Sequence, residues 1–380
     1  MVMIECPVCL RNLDWEQAPL VTMGEDLAPT PLVLPPDEAP AATRMRLGTA
    51  YRTCPGRGGH YLPADYGDMK AERITVGMIG NSAAGKSHLL AAMIGQFMRG
   101  IRLRQLDLQV SPLDLLIHKR YVQEAVTPFL DQRKELDRTR VAAAEITDAF
   151  LVANLAAGKR YTVTFFDVAG EQLGRAGAEE NLFLGAVNAL IFVVDPGAVR
   201  GLVRAPAGSG VNAGAVNAGA VDAGEGGTAG DYTFDNVLKL LRLARDEAAA
   251  EFLGVPAAVV VTKADLLRRG DLLLERWLRA EADEDLDLST VEEESGDVFT
   301  YLYTHGADRW LEPAQQCIWS TLHFASAAGT SPRDKVFPEE SFRPFRVIKP
   351  LLSLLAMKGV IDSRNAAAGG PGQFDTGVPV

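Results

Sequence analysis

Residues 80–87 read GNSAAGKS, directly after the apolar run ITVGMI (Ile74–Ile79) and directly before the helical pattern HLLAAMIGQFM. Gly80 and Gly85 let the backbone curl so that successive N–H groups point into one cavity, and the amino end of the following helix adds its dipole. Such a cavity suits a phosphate chain. Lys86 can reach the outer phosphates, and the Ser87 hydroxyl can ligate Mg²⁺. Gly80, Asn81, Ser82, Ala83, Ala84, Gly85, Lys86 and Ser87, with His88 opening the helix, form the candidate phosphate-binding set.

Working outward, apolar runs alternate with helical patterns from Arg73 onward, as expected for βα units in a mostly parallel sheet. Strands are predicted at Ile74–Ile79, Tyr161–Phe166, Ala189–Val194, Ala257–Val261 and Trp319–Ala325, and helices at Lys86–Met98, Phe234–Leu253, Asp271–Glu281 and near Pro344–Met357. The fold class is therefore α/β, a doubly wound mostly parallel sheet, over about 73–362. An insertion at about 101–157 carries an alternating strand over Ile101–Val110 and helical stretches from Leu113 to Ala157. A Gly/Ala tract at about 198–231 contains VNAGAVNAGAVDAG (Val211–Gly224), which buries too little apolar surface to offset its ordering entropy and reads as a flexible loop rather than a solenoid. Residues 363–380 read as a disordered tail.

The second run, TVTFF, ends in Asp167-Val168-Ala169-Gly170. An acid there can hold Mg²⁺, usually through water, while the Gly170 N–H senses a γ-phosphate. The fourth run, AAVVV, leads into Thr262-Lys263-Ala264-Asp265. Guanine presents two adjacent donors that one carboxylate can accept, so Asp265 selects guanine and the Lys263 stem covers the base. Ser326-Ala327-Ala328 follow the last strand, where backbone groups can meet the guanine carbonyl.

In this order, GNSAAGKS, DVAG, TKAD and SAA resemble the motifs of the Ras-like and translation-factor class of P-loop GTPases. The resemblance implies GTP/GDP, Mg²⁺ and switch loops. Thr262 stands where Asn is commoner, which weakens the expected tie between base loop and phosphate loop. Glu171 holds the place of the usual water-orienting Gln and Gln172 comes next; a carboxylate beside a γ-phosphate predicts slow intrinsic hydrolysis unless Gln172 substitutes. Thr139 and Thr147 both qualify as the switch threonine, and the reading leans to Thr139. A P-loop ATPase or kinase, or a nucleotide-binding scaffold without hydrolysis, are the alternatives.

Residues 1–72 are rich in Pro and turns and read as a small separate module. Cys6-Pro7-Val8-Cys9 and Cys54-Pro55-Gly56-Arg57-Gly58-Gly59-His60 look like two zinc knuckles: Cys6, Cys9, Cys54 and His60 make a closed tetrahedral Zn²⁺ set. A redox Cys-x-x-Cys is the rival, without a thioredoxin-like unit around it. Cys317 reads as a core residue. A zinc-ribbon-like head before a GTPase core with a long first insertion is similar to the bacterial double-GTPase family, second type. That resemblance implies a paired GTPase as protein partner and a role in bacterial conflict or defence.

Composition bounds these readings. The 380 residues carry a net charge of −11 and are 47% hydrophobic, enough for a sizeable core and contrary to a nucleic-acid binder. No apolar run approaches the ~18 residues of a membrane helix, and the amino terminus has no secretory pattern, so a cytoplasmic protein away from the membrane is expected. Nine acids and no base lie between Glu281 and Asp297. That run reads as a solvated loop face or, alternatively, a docking surface for a basic partner.

Overall fold

Strands whose every residue is apolar need cover on both faces, and ALIFVV and AAVVV lie inside a seven-stranded sheet. The computed structural model describes residues 3–35, 39–56, 59–81, 84–99, 103–137, 145–169, 185–198, 231–267, 272–278 and 286–361. The head holds β1 (Met3–Glu5), β2 (Asn12–Asp14), β3 (Leu20–Met23), β4 (Pro29–Pro31), helix α1 (Pro40–Leu47), β5 (Ala50–Cys54) and β6 (His60–Pro63). The main sheet is built from β7 (Glu72–Gly80), β8 (Leu108–Pro112), β9 (Glu145–Asn154), β10 (Lys159–Ala169), β11 (Ala189–Val194), β12 (Ala257–Val261) and β13 (Ser320–Phe324), in spatial order β13-β12-β11-β7-β10-β9-β8. Strands β13 to β10 run parallel, while β9 is antiparallel to both its neighbours. The fold is thus α/β with a mixed, mostly parallel sheet.

Strand alternation divides the core into two layers. Val76, Met78, Ile191 and Val260 point to one face, under helices α2 (Lys86–Arg99) and, near the carboxyl end, Lys349–Met357; Ile79, Phe192, Val259 and Val261 point to the other, under Asp231–Ala244 and Val291–Thr304. The head is packed onto the main sheet: Cys6, Val8, Leu13 and Leu62 share a buried cluster with Leu113, Ile117 and Ala149. The buried Thr164 hydroxyl of β10 donates to Pro7 O at 3.1 Å, Tyr61 N donates to Asp114 Oδ2 at 2.7 Å, and Arg73 pairs with Glu5.

The first insertion differs from its expected form. Leu103–Leu106 is a 3₁₀ turn, Asp107 takes a left-handed φ of 55°, and only then does β8 begin. Helical structure covers Leu115–Tyr121 and a π-helical stretch, Val122–Asp131, but Glu145–Asn154 is a strand. Asp148, Phe150, Val152 and Asn154 are buried at every second position, a period that fits a strand and not a helix. Asp148 is admitted to the interior because His118 Nδ1 lies 2.7 Å from its Oδ2 and Ala149 N donates to Oδ1. The helix expected over Phe234–Leu253 ends at Ala244: Asp246 turns left-handed, Glu247 N returns to Arg242 O, and Leu253 instead bridges to Cys317. The Gly/Ala repeat and the tail lie outside the described residues.

Candidate functional site

The five parallel strands end on one edge of the sheet, and the motif residues follow those ends. In register, Ala169 of β10 and Val193 of β11 stand beside Gly80, and Val261 pairs with both Val194 and Phe324. Strand β7 has β10, β9 and β8 on one side and β11, β12 and β13 on the other, a change of strand order of the kind that opens a crevice at strand carboxyl ends.

On the phosphate side, Gly85 adopts φ +82°, open to glycine at no steric cost, and starts α2 by accepting from Leu89 N at 2.9 Å. Lys86 Nζ donates to Gly80 O at 2.7 Å and to Asn81 O at 3.1 Å, so the ammonium is folded back over its own loop. Ser82 and Ala83 lie outside the described residues. His88 does not face the loop. Its ring packs edge-on against Phe129 and Phe337, and its Nε2 accepts from Leu136 N at 3.0 Å. Burial, and then the Lys263 ammonium, hold its pKa down to about 4.

The Thr262–Asp265 turn is stitched to the 80–87 loop. Thr262 Oγ1 lies 2.7 Å from Ala84 O and 2.9 Å from Val194 O, shared by the single hydroxyl proton, so the Thr keeps the tie that its substitution for Asn was expected to weaken. Lys263 is left-handed at φ 50°, and its Nζ reaches Asp195 Oδ2 at 3.0 Å. Asp265 accepts from the Ser326 hydroxyl, which itself accepts from Gly329 N at 2.8 Å. Burial raises the Asp265 pKa, opposed by the Ser326 hydrogen bond. Ser326 also exchanges two backbone hydrogen bonds with Phe345, at 3.1 and 3.0 Å.

Asp167 lies within β10, two residues before its end, in register with Met78 on the strand next to β7 and the 80–87 loop. Ser87 occupies the first turn of α2. Both offer hard oxygen donors of the kind Mg²⁺ takes. Thr139, Gly170, Glu171 and Gln172 lie outside the described residues. Thr147 falls at the β-bulge where β9 slips against Phe165 and Phe166 of β10, inside a strand rather than a loop.

In the head, the sulfurs of Cys6, Cys9 and Cys54 lie within 4.8 Å of one another, a group able to hold a metal ion. Cys9 and Cys54 Sγ are 3.7 Å apart. Hydrogen bonds from Cys54 and then Cys6 hold the Cys9 thiol far below its usual range, while Cys6, bonded to Cys54 and Cys9, is pushed far up. The first knuckle closes through Leu10 N to Cys6 O at 2.8 Å, with Leu10 left-handed. Gly56 is indispensable beside it: a Cβ there would stand 2.5 Å from Cys9 Sγ. His60 faces Cys54 across the β5–β6 ladder, outside the sulfur group itself. His60 is 7% exposed, and among the described residues neither ring nitrogen makes a well-formed hydrogen bond, although the imidazole is close enough to Cys9 to help lower its thiol pKa. A buried imidazole without a well-formed hydrogen bond, beside three thiols, is the donor chemistry of a Cys₃His metal site.

The acidic run divides. Residues 281–285 lie outside the described ones, but Glu294 is fully buried, between His323 Nδ1 at 3.0 Å, Arg346 Nε at 3.1 Å and Phe324 N at 3.2 Å. Burial raises its pKa, and the charges of His323, Arg346 and Lys349 outweigh that and bring it to about 2. Asp297 accepts from Trp277 Nε1 at 2.8 Å. Glu294 is therefore internal structure and Asp297 is half-buried, whereas Asp287, Glu292 and Glu293 of the same run are exposed. Asp195 is the site residue that sequence reasoning passed over; its signal is an acid closing a wholly apolar strand, the same signal by which Asp167 was read.

No protein-family model matches this chain, and none of the curated proteins matches it. Among the described residues, no helix is long and apolar enough to cross a membrane.

Proposed function

We propose that this chain is a GTP-binding protein that hydrolyses GTP to GDP and phosphate and works as a molecular switch. The observation that carries the reading is the hydrogen-bonded link from Ala84 through Thr262, and from Asp265 to Ser326, which joins three of the four motifs at one sheet edge. In this reading the loop amides and Lys86 hold the phosphates, and the ammonium exchanges its loop carbonyls for phosphate oxygens on binding. Ser87 and Asp167 would hold Mg²⁺, which neutralises charge on the transferred phosphoryl group. Asp265 accepts the two guanine donors, and Ser326 steadies its carboxylate. Gly170 senses the γ-phosphate, Gln172 or Glu171 orients water, and Thr139 serves as the switch threonine.

The same reading gives the head a structural Zn²⁺ on Cys6, Cys9, Cys54 and His60, which suits four free thiols in a reducing cytoplasm. As in the double-GTPase family it resembles, the switch would answer to a paired GTPase in a conflict or defence setting. Glu171 favours a second reading, a nucleotide-binding scaffold that does not hydrolyse; single-turnover phosphate release with and without the partner separates the two.

Calorimetry decides the base. Wild type should bind GDP at least about 100-fold more tightly than ADP, and Asp265→Asn should lose most of that preference, because an amide cannot accept both guanine donors. Equal affinity for the two nucleotides, or an unchanged preference in the variant, would sink the guanine reading.

A further inference from the structure

We infer that Asp195 is a specificity-positioning residue: it keeps the Lys263 ammonium away from Asp265, so that the carboxylate stays available to a base. This deepens the guanine reading and rests on it. Lys263 and Asp265 are two residues apart on one turn, and the Lys263 charge already lowers the Asp265 pKa against the effect of burial. A flexible ammonium that close to a half-desolvated carboxylate would pair with it directly, and a paired carboxylate is a poor acceptor for ligand N–H groups.

The fold prevents this by fixing a competing carboxylate. Asp195 follows β11 directly, and its two oxygens are divided: Oδ1 accepts from Gly197 N at 2.9 Å, which locks the side chain in a turn, and Oδ2 takes Lys263 Nζ at 3.0 Å. The Asp195 side chain is 19% exposed and that of Lys263 36%, so the pair is partly shielded from water. The lysine stem is held alongside the phosphate loop: a methyl group at Gly85 would lie 3.8 Å from Lys263 Cε. The stem therefore forms an apolar wall while its charge is parked at the far end, and Asp265 keeps only the Ser326 hydroxyl as a side-chain donor among the bonds described.

A double-mutant cycle in the full chain tests this, with GDP, ADP and inorganic pyrophosphate as calorimetric probes. Asp195→Asn should weaken GDP about tenfold and leave pyrophosphate within about twofold, because the phosphate loop is untouched. Lys263→Met keeps the stem and deletes the charge; in that background Asp195→Asn should cost less than about twofold, since no ammonium is left to restrain. Equal losses for GDP and pyrophosphate, or additive losses in the double variant, would overturn the role of Asp195. A wild type that binds GDP and ADP alike overturns the guanine reading and this inference together; a wild type that prefers GDP beside an unaffected Asp195→Asn overturns this inference alone. Should Asp195→Asn fold poorly by thermal melting, the same comparison is made between Asp195→Glu, which restores the charge and should recover GDP affinity, and Lys263→Met.

Discussion

The sheet edge at Gly80 and the sulfur cluster of the head are both built on tight turns, yet they leave their polar groups in opposite conditions. At the edge, Lys86, Thr262, Lys263 and Asp265 all have partners within the protein, so their polar groups are satisfied by the fold itself. In the head, three thiols crowd within 4.8 Å and neither ring nitrogen of His60 makes a well-formed hydrogen bond among the described residues. On the proposed function, the contrast separates a site that would exchange partners on binding nucleotide from one that would need its metal to be stable. Ligand loss should therefore empty the first and unfold the second.

The largest effect is expected where the ligand is part of the fold. Stripping metal with a chelator under reducing conditions, or Cys9→Ser, should lower the melting temperature of the whole chain rather than melt the head alone, because Cys6 and Val8 are core residues against Leu113 and Ala149. Structural zinc sites carry an apparent binding free energy of about 10–16 kcal/mol at neutral pH, so several kcal/mol of stability should depend on occupancy. Metal analysis with hydrogen exchange across β9 and β10 checks this, and unchanged protection after metal removal would erase the contrast.

Next in size is Lys86→Ala. It should cost about 100-fold or more in GDP affinity, roughly 3 kcal/mol, while the melting temperature moves little. Calorimetry beside a melting curve reads both, and a threefold loss or less would mean that the loop does not hold phosphates.

The smallest expected effect is a pH slope at the helix that follows the phosphate loop. Folded His88 titrates near 4, held down by burial and Lys263, whereas an unfolded histidine titrates near about 6.5. The unfolded chain therefore binds the proton first. This part of the stability is complete above about pH 6.5 and is lost as pH falls toward 4, amounting to about 2 kcal/mol between pH 6.5 and 4.5. His88→Gln should flatten that slope in urea titrations between pH 6.5 and 4.5; an identical slope would remove His88 from the account.

Legibility followed burial. Ala189–Val194 and Ala257–Val261 were readable to the residue, because each is an unbroken apolar run of the kind a strand covered on both faces favours. Glu145–Asn154, which falls within the helical stretches expected from Leu113 to Ala157, is a strand whose alternation includes the polar Asp148 and Asn154. Asp148 is tolerated only because of His118, and Asn154 because its Nδ2 donates to Val360 O at 2.7 Å, contacts made 30 and 206 residues away. The acidic run was legible in part: Asp287, Glu292 and Glu293 are exposed, as a run of like charges suggests, but the partners that draw Glu294 inward stand far along the chain.

The sequence by itself determined the glycine pattern of the 80–87 loop, the five parallel strands and the cysteine spacing, since glycine placement, apolar runs and thiol pairs are local properties of the chain. The tertiary structure decided that Lys263 rests on Asp195, that Thr262 still ties base loop to phosphate loop, and that Glu294 is internal. Each depends on which distant group arrives within hydrogen-bond distance, and that is fixed by sheet order and register rather than by any neighbouring residue.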